Sequence, residues 1–86
     1  MSREVVLPSG EFCEVGTITV ADMAAAFSTQ SGLLAMSILA HRLAKIDGQP
    51  LTLERIIFMP YSDAAPIFFL LTQQLDSAYK TRLGIA

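Results

Sequence analysis

Apolar and polar positions along the chain fall into blocks separated by turn residues. Val5, Val6 and Leu7 form a short apolar run, Pro8-Ser9-Gly10 carries turn residues, and Phe12, Val15 and Ile18 then stand among polar neighbours up to Thr19. An apolar run, a turn signal and a loosely alternating return segment predict a β-hairpin over about residues 4–19, with Gly16 marking a bulge or a bend. A two-stranded hairpin alone is marginal in water, so this one must pack on helices or pair with another chain's edge.

Thr19 followed three residues later by Asp22 resembles a capping box, with Asp in place of the usual Glu, and Ala21 to Phe27 is rich in helix formers. A first helix is expected over about 20–29. After Ser28-Thr29-Gln30-Ser31-Gly32, apolar residues recur at 36, 39, 43 and 46, widened by Leu33, Leu34 and Ile38, which predicts a second helix over about 33–47. His41, Arg42 and Lys45 suit its negative end, and Gly48 and Pro50 stop it. Thr52 caps a short helix over about 53–58, which Pro60 closes. Ser62 caps a last helix over about 63–83, with Asp63 at its positive end and Pro66 in a first turn where a missing N–H costs nothing. Lys80 and Arg82 fall in its last turn, and Gly84 ends it. The expected fold class is α+β, mainly α: an N-terminal β-hairpin followed by three to four helices in one small domain spanning residues 1–86, with no internal repeat or linker.

Composition adds a surplus. Hydrophobic residues make up 52% of the chain and charged residues 16%, against roughly 45 to 50% and about 25% in ordinary soluble domains. A chain of 86 residues removes only about 60% of its unfolded surface from water. The excess must be buried in a homo-oligomer, covered by a client or left as an adhesive patch. The last helix concentrates it, because Ile67-Phe68-Phe69-Leu70-Leu71 is apolar all the way round. Phe68, Leu71, Leu75 and Ala78 share one face, while Ile67 and Phe69 point elsewhere. Each large side chain left exposed is worth roughly 1.5 to 3 kcal/mol toward association. Leu39, Leu43 and Leu71 are expected in the core, and Met59, Tyr61, Ile67, Phe68 and Phe69 are the candidate partner-binding residues.

Reactive chemistry is scarce. The chain has one histidine, His41, and one cysteine, Cys13, on different elements with no metal-ligand spacing. Cys13 reads as a small apolar residue packed under the hairpin, and His41 as a solvated residue on the outer face of its helix. The carboxylates Glu4, Glu11, Glu14, Asp22, Asp47, Glu54, Asp63 and Asp76 are dispersed, several at turns or caps, and no glycine-rich phosphate loop or nucleophile elbow occurs. No catalytic, metal-binding or cofactor-binding residues are expected, and the chain is read as a protein-binding module and not an enzyme. A net charge of -2 and a pI near 5.1 argue against nucleic acid as a partner. The longest strongly apolar run falls far short of the ~20 residues that cross a bilayer, and the N-terminus lacks the pattern of a signal peptide. A cytosolic protein without a membrane partner is expected. A helix-turn-helix regulator made from residues 20–47 is a distant alternative, because its recognition helix would begin with leucines and carry its polar residues near the far end.

The order of these features is similar to a known family. Val6-Leu7-Pro8-Ser9-Gly10, the return segment into Thr19-Val20-Ala21-Asp22-Met23, and Ile46-Asp47-Gly48-Gln49-Pro50-Leu51-Thr52 followed by Met59-Pro60-Tyr61-Ser62-Asp63 resemble the tail assembly chaperones of Mu-like contractile-tail phages. The resemblance spans about residues 4–75 and rests on order and spacing, since each motif is a turn or a cap. It implies a protein of the host cell cytoplasm that binds and solubilises the aggregation-prone tape measure protein and helps recruit tail tube protein. It also implies absence from the finished virion, and a chain ending at Ala86 looks like the shorter of two forms made by translational frameshifting. The alternative within the same setting is a structural tail or baseplate component retained in the particle.

Overall fold

Pro8, Ser9 and Gly10 close a hairpin between β1 (Arg3–Val6) and β2 (Phe12–Val15), with Arg3 opposite Val15 and Val6 opposite Phe12. Gly10 sits at φ +91°, a backbone region that glycine enters without penalty, and its N–H donates to Leu7 O at 2.8 Å. The computed structural model describes residues 3–83, and their side chains as far as Asp76. Gly84 and the side chains of Ala78, Lys80 and Arg82 lie outside the described residues.

The expected α+β class, with an N-terminal hairpin followed by helices, is what the chain adopts. Beyond the hairpin the elements are α1 (Val20–Ala26), α2 (Gly32–Leu43), β3 (Ala44–Ile46), β4 (Gln49–Pro50), α3 (Leu53–Phe58) and α4 (Tyr61–Leu83). The sheet is antiparallel throughout, in the order β1-β2-β3-β4. One face of it packs on α2 and α4. Cys13, Val15, Ala44 and Ile46 point inward from the strands and meet Leu39 and Ala40 of α2 and Ile67 and Leu71 of α4. Leu7, Leu51 and Ile56 close the core at its ends. Leu39 and Leu71 are fully buried as expected, and Leu43 is partly buried against them.

Several boundaries differ from the pattern-based reading, each for a local reason. The second helix stops at Leu43 and not near 47, because Ala44 to Ile46 turn extended and pair with β2, Cys13 opposite Ile46 and Val15 opposite Ala44. Asp47 and Gly48, at φ +52° and +81°, then reverse the chain so that Ile46 faces Gln49. Over three residues the buried-exposed-buried order of Ala44, Lys45 and Ile46 fits a strand as well as a helix, and β2 supplies the unpaired edge that selects the strand. The first hairpin is shorter than 4–19, and its alternation is offset: Cys13 and Val15 face the core while Phe12 faces outward. Gly16 makes no bulge, since its N–H donates to Leu43 O at 3.0 Å and continues the ladder.

The first helix ends at Ala26 and begins with the expected capping box, Thr19 Oγ1 accepting from Asp22 N and Asp22 Oδ2 accepting from Thr19 N. Thr52 caps α3 through Arg55 N. The last helix starts at Tyr61, where Pro60 O accepts from Asp63 N and Ala64 N, so Ser62 lies within the first turn and does not cap it. Pro66 is consequently the sixth helical residue, beyond the turn whose N–H groups lack partners, and the Ser62 carbonyl loses its i+4 donor. His41 is not merely solvated: its Nδ1 lies 2.8 Å from Leu51 O, so the ring donates to the chain just beyond β4.

Candidate functional site

Three helices converge without closing on one another. Leu33, Leu34 and Ser37 of α2, Ile56 and Ile57 of α3, Met59 after it, and Tyr61, Ala64 and Phe68 of α4 line an open groove of about 370 Å³. The sequence accounts for the convergence. Ser31 starts α2 by accepting from Leu34 N at 3.2 Å, which aims the first turn, with Leu33 and Leu34, at this side of the molecule. Met59 and Pro60 break the chain between α3 and α4, and the cleft is bordered by residues of both helices and by Met59 between them.

No charged side chain lines the groove. Its two serine hydroxyls are already engaged, Ser37 Oγ donating to Leu33 O at 2.9 Å and Ser31 Oγ accepting the α2 cap bond, while the Tyr61 phenol stands at the exposed lip. Among the described residues no buried side-chain nitrogen or oxygen lacks a partner. A pocket shaped for a polar small molecule or cofactor carries a few convergent polar groups that orient it. This groove has the Tyr61 hydroxyl at its exposed lip and no converging set of polar groups, and what it offers is chiefly apolar surface. Leu33 is 66% exposed, Ile57 51% and Tyr61 70%, large side chains held at the lip.

The candidate residues divide accordingly. Met59, Tyr61 and Phe68 line the groove. Ile67 does not reach any surface: it is completely buried, because positions 64, 67 and 71 form the stripe of α4 that packs on α2 and β2. Phe69 is 61% exposed but stands apart from the groove, on the side of α4 turned away from the core. Leu33, Leu34 and Ile57 were missed by sequence reasoning, since an apolar residue on an amphipathic helix reads as core until its neighbours are known. The shortness of α3 was the available signal, because six residues cannot cover both Ile56 and Ile57.

A second hollow, about 290 Å³, lies between the hairpin turn and the start of α4, beside Glu11, Arg55, Phe58 and Asp63. Its charges are used internally. Arg55 pairs with Glu11, and Asp63 Oδ1 accepts from Ser9 N at 3.1 Å, so these groups fasten the hairpin turn to α3 and α4. Among the described residues no three His, Cys, Asp or Glu side chains are placed to share a metal ion, and no helix is long and apolar enough to cross a membrane.

No protein-family model, curated protein sequence or solved structure matches the chain.

Proposed function

We propose that this chain is a binding module that shields an apolar segment of another protein, and that it serves as a phage tail assembly chaperone whose client is the tape measure protein. The observation that carries the reading is the uncharged groove between α2, α3 and α4, with large apolar side chains at its lip and its serine hydroxyls already satisfied from within. A groove of that composition accepts the apolar face of an amphipathic helix, a common mode of peptide recognition. It gains little from polar or charged ligands, which would lose water without finding partners. Its open form suits reversible binding at modest affinity, and many copies along one long client would together suppress self-association of that client.

The sequence resemblance supplies the identity of the client, and recruitment of tail tube protein follows from the same resemblance. The test is co-expression of the full chain with the tape measure protein of the same genome, followed by size-exclusion chromatography with light scattering. A soluble complex is expected. The Ile57→Asp variant, altered at an exposed position, keeps its circular dichroism spectrum and loses the complex. A tape measure protein that stays insoluble beside the wild-type chain, or a complex that survives Ile57→Asp unchanged, overturns the reading.

A further inference from the structure

The sheet has two outer edges, and they differ chemically. Leu51 N donates to Ala44 O at 3.1 Å, so Gln49 and Leu51 address β3 and the backbone of Pro50 faces outward. Proline has no N–H, and that edge offers no donor there. At the opposite edge Leu7 N donates to Glu11 O at 2.8 Å. In the same register Val5 faces Cys13 and Arg3 faces Val15, so the odd residues of β1 address β2, while Glu4 and Val6 turn both their N–H and C=O groups to the open side. Among the described residues no strand lies beyond β1.

The helix beneath this edge is also unfinished. α4 packs across β1 and β2 together, and Arg3 Nη1 reaches Gln73 Oε1 at 3.5 Å, which identifies the flank of α4 nearest β1. Leu70 and Pro66, three and seven residues before Gln73, lie on that flank and are only partly buried. Phe69, 61% exposed, stands at its outer rim. The groove formed by Tyr61 and Phe68 is on the other flank.

We propose that two copies of this chain associate by pairing β1 with β1 antiparallel about a two-fold axis at Val5, joining the two sheets into one and bringing the α4 flanks of Pro66, Leu70 and Gln73 together beneath it. The register follows from elimination. An axis at Glu4 sets two carboxylates directly opposite each other. An axis at Val6 sets Glu4 against Pro8 of the partner subunit, which cannot donate. An axis at Val5 sets Glu4 opposite Val6 of the partner subunit in both directions and uses every open donor and acceptor of the two strands. The helices then fit as well. With strands ~4.8 Å apart and α4 lying over the β1–β2 boundary, the two α4 axes come ~10 Å apart, the outer limit of ordinary helix packing. The interface leaves both grooves open, so it stands or falls independently of the client.

Light scattering on the full chain over a concentration series tests it, together with amide hydrogen exchange. Twice the chain mass is expected for the wild type, and the Glu4 and Val6 amides exchange more slowly as concentration rises. Val6→Pro removes a donor that β2 does not use and is expected to give the mass of one chain with an unchanged circular dichroism spectrum. Phe69→Glu, at an exposed position, raises the dimer dissociation constant about tenfold or more and carries the mutational test if Val6→Pro does not fold. Ile57→Asp, in the groove, leaves the dimer intact. A single-chain mass for the wild type at every concentration overturns the proposal. So does a dimer unaffected by Phe69→Glu, a dimer abolished by Ile57→Asp, or exchange at Glu4 and Val6 that does not depend on concentration.

Discussion

Arg42 Nε donates to Asp22 Oδ1 at 2.8 Å, and this contact ties the start of α1 to the end of α2. The same carboxylate accepts from Thr19 N and Thr19 Oγ1 through its other oxygen, both at 2.9 Å. One buried side chain therefore caps a helix and anchors it to its neighbour.

Burial alone raises the Asp22 carboxyl, but the bonds from Arg42 and Thr19 outweigh it and hold the group below the usual carboxylate range. A lowered folded pKa contributes stability that is complete above the unfolded value near ~3.9 and is lost as pH falls through the folded value. Asp22→Asn is expected to cost about 1 kcal/mol near neutral pH, a modest figure because the Arg42 side chain is 39% exposed and solvent screens the pair. Urea midpoints of the two proteins should converge in acid. A gap that stays constant there would mean that packing, and not charge, holds α1.

Gln74 of α4 fastens the connection between β2 and α1 at two points, accepting from Ile18 N at 3.0 Å and donating to Gly16 O at 2.8 Å. Gln74→Leu keeps the volume and removes both bonds. It should destabilise the protein by about 1 to 3 kcal/mol, the cost of leaving partly buried backbone groups unpaired. The Ile18 amide should lose its protection from hydrogen exchange, and unchanged protection would disprove the role.

The turn between β3 and β4 demands left-handed backbone at two successive residues, Asp47 at φ +52° and Gly48 at φ +81°. Space is not limiting at Gly48, where an added Cβ would meet nothing within 4 Å, so Gly48→Ala isolates the conformational cost. About 1 to 2 kcal/mol is expected in thermal or urea unfolding. Asp47→Asn should be almost neutral, since Asn tolerates the left-handed region and keeps the oxygen that accepts from Phe12 N at 3.1 Å. Asp47→Ala loses both and should cost more than either.

Cys13 is fully buried under β2. Burial, with the neighbouring Glu14 carboxylate adding to it, pushes its thiol up to about 11. The native protein should react with iodoacetamide at mildly alkaline pH roughly two orders of magnitude more slowly than a free thiol, the ratio of thiolate populations. Denaturant should restore ordinary reactivity. Rapid modification of the folded chain would show that β2 opens locally.

The sequence by itself determined the elements whose cause is local. Thr19 with Asp22, Thr52 before Leu53 and the turn residues at 8–10 each satisfy or redirect their own backbone within a few residues, and all are found where the pattern puts them. The 3.6-residue period likewise located α2 and put Leu39 and Leu71 in the core. Tertiary structure decided whatever depends on a distant neighbour. Residues 44–46 became a strand because β2 had an edge to pair. His41 found Leu51, and Asp22 found Arg42, across separations no local pattern encodes. Exposure of apolar residues was the least legible property. Ile67 and Phe69 are close in sequence and similar in hydrophobicity, yet one is sealed beneath the sheet and the other faces water, because burial is set by what packs against a side chain and not by the side chain itself.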